Sequence, residues 1–443
     1  MTWQLPPDLA LVITQLADAL HARLAGRLLP LCTGLLFARG RRTVTSWLRA
    51  AGVGADYKAY YYFLASLGRK ARWVGARLLG HLRRTVPLGE RVLLALDDTP
   101  TQRYGPLVEG AGLHHHPTPG PAGQKLLYGH VWVTLALVVR HALWGTIGLP
   151  LWALLYVRRK DSGLLQTLYG VRFRTKLELA VELVGWAAAG LKGLGKALWV
   201  VADGAYAKRP FLRPVVALGA VVVSRLRKDA ALRSLPRPKP PGRRGPQAKY
   251  GAAAIDLAKR AGQGRGWQTG TFTLYGKETV KRYKTFLATY AVAGGVIRVV
   301  LVKERTGWVA FFCTEADATV AQVLEAYADR AALEQVFHDV KEVHGAGQQQ
   351  VRNYWANVAA FNLTLWWHTL VEVAAWDRPA RELIDRRASP WDRQERRPSH
   401  ADRQKWLRRR SLQEAITGAD LPEVQKRRFK ALVDRLVEWA AQA

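Results

Sequence analysis

The fold is decided by residues 91–99, which read Arg91-Val92-Leu93-Leu94-Ala95-Leu96-Asp97-Asp98-Thr99. An apolar run closed by two carboxylates is typical of a strand that is buried on both faces and ends at a polar edge. A second such run, 198–202, ends at Asp203. Carboxylates at the ends of parallel strands can converge at one edge, where hard oxygen ligands suit Mg²⁺ or Mn²⁺. Ordinary solvated turns after each strand remain an alternative.

The elements around these two strands follow an order that predicts the architecture. Apolar runs at 128–139 and 142–157 predict two strands, an amphipathic stretch at 175–191 predicts a helix, and 220–224 predicts a further strand. With a helix after Asp203, the order is three strands, helix, strand, helix, strand. That order is the core of a ribonuclease H-like fold, so we predict an α/β protein.

Residues 1–85 predict a small helical domain in front of this core. Two short helices at 43–50 and 56–66 have the spacing of a helix-turn-helix, whose second helix enters the major groove of DNA. Helical hairpins that do not bind DNA share this spacing, so both interpretations stay open. The arginines that precede the first helix are candidates for DNA contact: Arg39, Arg41 and Arg42.

The region between Asp203 and the last helix of the core predicts a basic, β-rich insertion. Residues 225–249 contain nine Lys or Arg, one acid and several prolines, which indicates an extended loop. Two of its cations are further candidates for DNA contact, Arg243 and Arg244. Strand-like runs follow at 284–291, 296–303 and 308–313.

These patterns divide the chain into four predicted parts. Residues 378–410 hold twelve Lys or Arg against five acids, so we expect the C-terminal region to contact DNA or to dimerise. The predicted parts are a DNA-binding helical domain at 1–85, a catalytic core at 86–224 and 315–375, an insertion at 225–314 and a basic helical region at 376–443.

The composition limits the classes of binding partner. The 443 residues carry a formal charge of +33, and 49% of them are hydrophobic, including 17 Trp, which excludes a disordered basic tail. Such an excess of positive charge indicates nucleic acid as the first choice of partner and an anionic membrane surface as the second. We expect no membrane span, because charged residues, Gly and Pro interrupt the most apolar region, 131–157.

The two cysteines, Cys32 and Cys313, cannot build a disulfide framework and lack the spacing of a zinc site. No signal peptide is recognised at the N-terminus. Both observations fit a reducing cytosol, and we expect a cytoplasmic, nucleoid-associated protein.

A predicted helix at 319–343 carries four polar residues in one stripe. Tyr327, Arg330, Glu334 and Lys341 are separated by 3, 4 and 7 residues, which at about 100° per residue places them within roughly 60° of one another. A solvated face with one Arg330–Glu334 ion pair, worth a few tenths of a kcal/mol, would explain the same pattern.

This spacing resembles the Y-(2)-R-(3)-E-(6)-K signature of DDE transposases from bacterial insertion sequences, a cut-and-paste group that includes enzymes excising through a DNA hairpin. The segment Leu96-Asp97-Asp98-Thr99 resembles the first-Asp block of that group. The segment Val201-Ala202-Asp203-Gly204-Ala205-Tyr206 resembles its second-Asp block. The resemblance extends over about 40–375.

The resemblance implies a role for each matching residue. Asp98, Asp203 and Glu334 would ligate two Mg²⁺ ions, for which Mn²⁺ could substitute; Asp98 is preferred over Asp97 because the first Asp of the family directly precedes a Thr. Three residues would hold phosphates beside the scissile bond, namely Tyr327, Arg330 and Lys341. Trp308 would stack on a base turned out of the duplex, unless it is a core residue of its strand.

The implied function is that of a homodimeric DNA transposase, which cleaves the inverted-repeat ends of its element and joins the 3′-OH ends to target DNA. Two alternatives stay open. One is a catalytically inactive DNA-binding protein derived from such an enzyme, although the complete set of acids argues against it. The other is a structure-selective nuclease with a ribonuclease H-like fold, which cuts without joining.

Overall fold

Six helices precede the sheet in this computed structural model, which describes residues 3–115, 125–239, 244–386, 390–393, 396–417 and 436–437. Their bounds are α1 Pro7–Ala17, α2 Ala22–Ala25, α3 Leu28–Phe37, α4 Val44–Ala50, α5 Tyr57–Arg69 and α6 Ala71–Thr85. The predicted helix pair corresponds to α4 and α5. Thr43 caps α4 by accepting a hydrogen bond from the Ser46 amide, which explains why that helix begins there.

The central part of the chain alternates strands and helices. Its elements are β1 Arg91–Gln102, β2 Gly112–His115, β3 Leu126–His141, β4 Gly145–Tyr156, α7 Ser162–Tyr169, α8 Lys176–Leu191, β5 Ala197–Ala202, α9 Arg209–Ala217 and β6 Val221–Leu226. A capping box starts α8, in which Thr175 and Glu178 satisfy each other's backbone amides. The strands and helices predicted for this region are therefore present, with bounds that differ by a few residues.

The remaining chain adds strands and then helices. The strands and one short helix are β7 Leu232–Arg233, β8 Ala254–Ile255, α10 Leu257–Gly262, β9 Gln268–Leu274, β10 Lys277–Tyr290, β11 Gly295–Glu304 and β12 Gly307–Cys313. The helices are α11 Val320–Asp329, α12 Ala331–Glu342, α13 Tyr354–Ala374, α14 Ala380–Leu383 and α15 His400–Thr417.

All twelve of these strands belong to one mixed sheet, which confirms the α/β class. The strand order is β2-β3-β1-β5-β6-β12-β11-β10-β7-β8, with β4 paired to β3 and β9 paired to β10. Strands β4, β3 and β1 are antiparallel, whereas β1, β5 and β6 run parallel. Strand β12 then pairs antiparallel with β6, so the strands of the insertion continue the same sheet.

Helices cover both faces of the central strands. Residues on one face of β1 and β3 contact α12 and α13, as the stacking of Trp132 on Phe361 shows at 4.3 Å between ring centroids. The other face packs against α8, where Trp152 meets Trp186. Because successive strand residues point to opposite faces, neighbouring positions of β1 meet different helices.

The helix predicted at 319–343 is divided in two at Arg330. A capping box of Thr319 and Gln322 starts α11 at the predicted position. The Arg330 amide bonds to the Tyr327 carbonyl, and the Leu333 amide bonds to the Arg330 carbonyl. These i→i+3 bonds tighten the helix for one turn and separate α11 from α12.

Helix α13 forms the centre of the packing between the helical regions and the sheet. It is buried along most of its length and packs against α5. At the crossing, a Cβ on Gly68 would lie 1.9 Å from the Trp355 carbonyl oxygen, so only glycine allows this approach. Within the described ranges, no helix combines the length and apolarity needed to cross a membrane.

Candidate active site

Asp97 and Asp203 lie side by side at the carboxyl end of the parallel strands. In the ladder between β1 and β5, Leu96 pairs with Ala202, so the next residue on each strand is an aspartate. Neighbouring residues in register on parallel strands share a face of the sheet. The backbone therefore brings these two carboxylates together without help from any loop.

Arg330 joins Glu334 to this pair. Its Nη1 lies 2.5 Å from Asp97 Oδ2, and its Nη2 lies 2.6 Å from Glu334 Oε1. The Arg330 side chain is 14% exposed and the Glu334 side chain 57% exposed, so the set stands between the sheet edge and solvent. One guanidinium thus holds two carboxylates from distant parts of the chain within its own width.

Asp98, the sequence's first choice for the first acid, lies on the other face of β1. Its Oδ2 accepts a hydrogen bond from Lys176 Nζ at 2.7 Å, and its Oδ1 accepts one from the Tyr206 hydroxyl at 2.9 Å. Both partners belong to the side covered by α8 and the turn after β5. The structure therefore groups Asp97, and not Asp98, with the residues around Arg330.

The charge of the Asp97 carboxylate is not fully compensated by the positive charge around it. The pKa of Asp97 is raised to about 6, chiefly by burial; Arg330 and the Asp98 amide lower it, and the nearby Asp98 and Asp203 carboxylates raise it. Burial, together with Asp98, raises the pKa of the Tyr206 hydroxyl well above its usual value. A divalent cation would relieve the repulsion among Asp97, Asp98 and Asp203, and carboxylate oxygens are the hard donors that Mg²⁺ or Mn²⁺ prefers.

The other residues of the predicted stripe are placed around Arg330 along the two helices. The Arg330 guanidinium lies over the Tyr327 ring at 5.5 Å, and Tyr327 in turn packs against Phe311 of β12 at 4.7 Å. Lys341 is half-buried on α12, and burial lowers its pKa. Among the described residues it has no hydrogen-bond or ion-pair partner. Its charge is therefore available to an anion.

Trp308 is placed at the same edge of the sheet as the acids. It lies two residues before Ala310, where β12 begins to pair with the end of β6 at Leu226. Its ring is half-buried, with Lys228 Nζ at 5.2 Å from the ring centroid. The tryptophan thus packs partly against the sheet and partly faces the surface.

Two family models match this chain. The model described as DDE superfamily endonuclease covers residues 15–271, more than half of the protein. The chain belongs to this superfamily. A second model, described as the transposase DDE domain, covers residues 179–370. A comparison with curated proteins found no significant match.

Membership of the superfamily defines the broad activity of this protein. It is a transposase or an endonuclease of the DDE type, which implies nucleic-acid phosphodiesters as substrates and the use of a divalent metal. The transposase model spans both Asp203 and Glu334. The predicted resemblance to a DDE transposase is confirmed at this level.

The arginines predicted to contact DNA differ in their surroundings. Arg39, Arg41 and Arg244 are exposed. The Arg42 amide donates a hydrogen bond to Gln348 Oε1 at 2.8 Å, which places the segment before α4 beside the loop that follows α12. Arg243 lies outside the described residues.

The sequence did not indicate three features of the structure, namely Lys176, Tyr206 and a buried group of ligating side chains. Lys176 and Tyr206, which hold Asp98, were not identified as partners, although Tyr206 is part of the quoted second-Asp block. A buried group of Asp339, His368 and His400 was also missed, because these residues are far apart in sequence and have no ligand spacing. The signal in favour of Asp97 was present: Asp97 and Asp203 each follow their apolar run directly.

Proposed function

We propose that this protein is a cut-and-paste DNA transposase that cleaves the inverted-repeat ends of its element and joins the 3′-OH ends to target DNA. The observation that carries the proposal is the gathering of Asp97, Asp203 and Glu334 by register and by Arg330 at one sheet edge. The match to the transposase DDE domain over 179–370 supports it.

The topology supports a ribonuclease H-like core. The order β4-β3-β1-β5-β6, with two antiparallel pairings followed by two parallel ones, is the one expected from the predicted sequence of elements. Strands β7 to β12 stand between Asp203 and Glu334 in the chain, which supports a β-rich insertion at 225–314.

For the metal ligands we propose Asp97, Asp203 and Glu334, with Mg²⁺ as the natural ion and Mn²⁺ as a substitute. Asp98 was preferred because it precedes Thr99, but its carboxylate bonds Lys176 and Tyr206 on the opposite face. When bound, two divalent ions supply a nucleophile at neutral pH and stabilise the charge that develops on the phosphate. Asp98 then acts as a positioning residue that orients the end of β1.

The cationic residues of the site are proposed to bind DNA phosphate. Arg330 is shared between Asp97 and Glu334, and once a metal compensates those acids its planar fork is free to bind a phosphate bidentately. Lys341 adds a point charge farther along α12, and Tyr327 supports the Arg330 guanidinium from below. Trp308, at the same edge, is proposed to stack on a base turned out of the duplex.

The partner is proposed to be double-stranded DNA, bound by a homodimer that holds two ends together. The formal charge of +33 supports strong binding to the phosphate backbone. We assign DNA recognition to 1–85, catalysis to 86–224 and 315–375, and further DNA contact or dimerisation to 376–443. The proposed location is the bacterial cytoplasm, at the nucleoid, and excision through a hairpin is proposed with Trp308.

The test is cleavage and strand transfer on a labelled duplex that carries the element's terminal repeat, with Mg²⁺ or Mn²⁺ at fixed salt. Asp97→Asn and Asp98→Asn form a matched pair on adjacent residues of one strand. We expect Asp97→Asn to lower the cleavage rate by at least about 100-fold, as loss of one electrostatic contact to the reacting group does, and Asp98→Asn to have a smaller effect.

The outcomes separate the alternatives. Cleavage without strand transfer would identify a structure-selective nuclease, and binding without cleavage under either metal would identify an inactive DNA-binding protein. If Asp98→Asn abolishes cleavage while Asp97→Asn retains it, the assignment of the first acid is wrong. Binding to the same duplex, measured in parallel, shows that each variant is folded.

A further inference from the structure

A second group of ligating side chains lies in the interior, away from the sheet edge. It consists of Asp339 on α12, His368 on α13 and His400 at the start of α15, and one ligand atom from each lies within 4.8 Å of the others. All three residues are buried. Three helices that are distant in sequence therefore meet at one polar point.

The hydrogen bonds around His400 leave one of its nitrogens directed at this point. Its Nδ1 bonds to Glu372 Oε1 at 2.6 Å, which fixes the ring and leaves Nε2 as the inward atom. His400 Nε2 lies 2.7 Å from His344 Nε2. Two imidazole nitrogens this close share a proton, because two bare lone pairs would repel.

Several polar atoms of the group have no partner. Among the described residues, His344 Nδ1, His368 Nδ1 and Glu372 Oε2 make no hydrogen bond. The exposed fractions are 1% for His344, 3% for His368 and 1% for Glu372. A buried polar atom without a hydrogen-bond partner costs about 1–3 kcal/mol. These atoms therefore lack partners that the described side chains do not supply.

The charges of the group are also unbalanced. Asp339 and Glu372 are two buried carboxylates, and the buried cation paired with them is Arg403, whose Nη1 lies 3.0 Å from Glu372 Oε1. Among the described residues, the hydrogen-bond and ion-pair partners of Asp339 are Gln335 Nε2 at 2.9 Å, His338 Nδ1 at 3.4 Å and His368 Nε2 at 3.6 Å, none of which carries a permanent charge. A cation beside Asp339 would complete the balance.

We propose that Asp339, His368 and His400 bind one Zn²⁺ ion. Imidazole nitrogens and one carboxylate oxygen suit zinc and disfavour Mg²⁺, which requires oxygen ligands. Glu372 supplies the carboxylate that accepts the second ring N–H of a ligating histidine. The His368 ring stacks on His400 at 4.0 Å, so ligation by both involves a tilt of one ring.

The zinc would fasten α15 to the helix that carries Glu334. Asp339 follows Glu334 by five residues on α12, and His400 is the first residue of α15. The site is buried among three helices, where a DNA substrate cannot reach the ion, so its role is structural. The ion would thereby fix the position of α12, while taking no part in phosphodiester chemistry.

The first experiment is a metal analysis of the purified full chain. After dialysis against a weak chelator we expect one zinc per chain by mass spectrometry, and after exchange with Co²⁺ a visible ligand-field spectrum of tetrahedral type. Wild-type protein that retains no zinc and gives no such spectrum with added Co²⁺ would overturn the proposal, without reliance on any variant.

Three variants locate the ion. His368→Ala is expected to lose the zinc, and Glu372→Gln to weaken its binding by about 10–100-fold in competition with a chromophoric chelator. His81→Ala, at a half-buried histidine of α6 outside the group, serves as the matched control and keeps one zinc. Equal zinc content in His368→Ala and His81→Ala would overturn the assignment.

This inference goes beyond the proposed transposase activity and is tested separately from it. Glu334→Gln is expected to keep its zinc and its Co²⁺ spectrum, because its carboxylate bonds Arg330 and not the buried group. Loss of zinc in Glu334→Gln would contradict the existence of two independent sites. An inactive protein that still binds one zinc through His368 would support the inference and oppose the proposed function.

Discussion

Helix α12 contributes to two polar regions whose surroundings are opposite. At its beginning, Glu334 is 57% exposed and shares Arg330 with Asp97 at the sheet edge. Near its end, Asp339 is buried with His368 and His400 between three helices. The open region offers oxygen ligands that DNA and exchangeable ions can reach, whereas the closed region offers mainly nitrogen ligands that solvent cannot reach.

The comparison shows that burial selects the chemistry that acidic residues can support. A set that reaches the surface, as Glu334 does beside the half-buried Asp97, can exchange its cation for a metal during a reaction. A buried set must keep its charge balanced permanently, because an uncompensated charge in the interior costs several kcal/mol. On the two proposals, a carboxylate on one helix serves catalysis at the beginning of that helix and structural stability near its end.

Removal of one acid from each region is the most direct test of the difference between the two regions of α12. Glu334→Gln is expected to lower metal-dependent cleavage by at least about 100-fold while leaving the melting temperature unchanged, because the lost charge acts on the reaction. Asp339→Asn is expected to lower the free energy of unfolding by about 1–3 kcal/mol, because it leaves buried groups unpaired. Cleavage of the labelled duplex and thermal unfolding measure the two effects.

Each variant is the control for the other, since both replace an acid of α12 by its amide. Cleavage by Asp339→Asn should decline only with the fraction that remains folded. If Asp339→Asn were as inactive as Glu334→Gln at a temperature where both are folded, the division of α12 into two regions would be incorrect.

A second prediction uses the raised pKa of Asp97. The folded chain binds this proton with a pKa of about 6, against 3.8 as the ordinary value. Because the folded state holds the proton more tightly, this carboxyl lowers the stability as pH rises from about 4 to about 6 and adds no further change above. The wild-type stability relative to Asp97→Asn should therefore fall by about 1–3 kcal/mol over that range.

Urea unfolding at a series of pH values, with a chelator present to remove divalent ions, measures this difference. A difference between wild type and Asp97→Asn that rises with pH would mean that Arg330 outweighs the burial of the carboxyl. Added Mg²⁺ should reduce the destabilisation at high pH, because an ion bound by the ionised acids stabilises the folded chain.

The smallest expected effect concerns Lys341, which lies in the last turn of α12, two residues after Asp339. If it binds one DNA phosphate, Lys341→Ala should reduce the slope of log affinity against log salt by about 0.9 and weaken binding similarly on all sequences. Lys192→Ala is the matched control, because this exposed lysine follows α8 at the opposite edge of the sheet. Equal slopes for Lys341→Ala and wild type would exclude the phosphate contact.

Much of the fold could be predicted from the sequence. The apolar run beginning at Val92 and the runs at 128–139 and 142–157 are strands, and Thr319 starts the predicted helix. These signals are local, because the period of apolar residues and a capping side chain depend on neighbours along the chain. The break at Arg330 was not predicted, since it consists of a change in hydrogen bonding within a sequence that favours helix throughout.

The residues of the candidate site stay predictions, and the structure bears on the choice of the first acid. The sequence placed two acids after strands and Glu334 on a helix, but it preferred Asp98 to Asp97 because of the adjacent Thr99. Alternation along β1 sends the two aspartates to opposite faces, and only the packing of α12 on one face and α8 on the other distinguishes them.

The sequence by itself determined the α/β class, the order of the elements, the family and the oxygen-rich chemistry of the strand ends. Only the tertiary structure decided which aspartate faces Arg330 and that Asp339, His368 and His400 meet at all. The physical reason is that periodicity and capping are set within a few residues. Register between strands and contacts among α12, α13 and α15 instead depend on packing between segments that are distant in the chain.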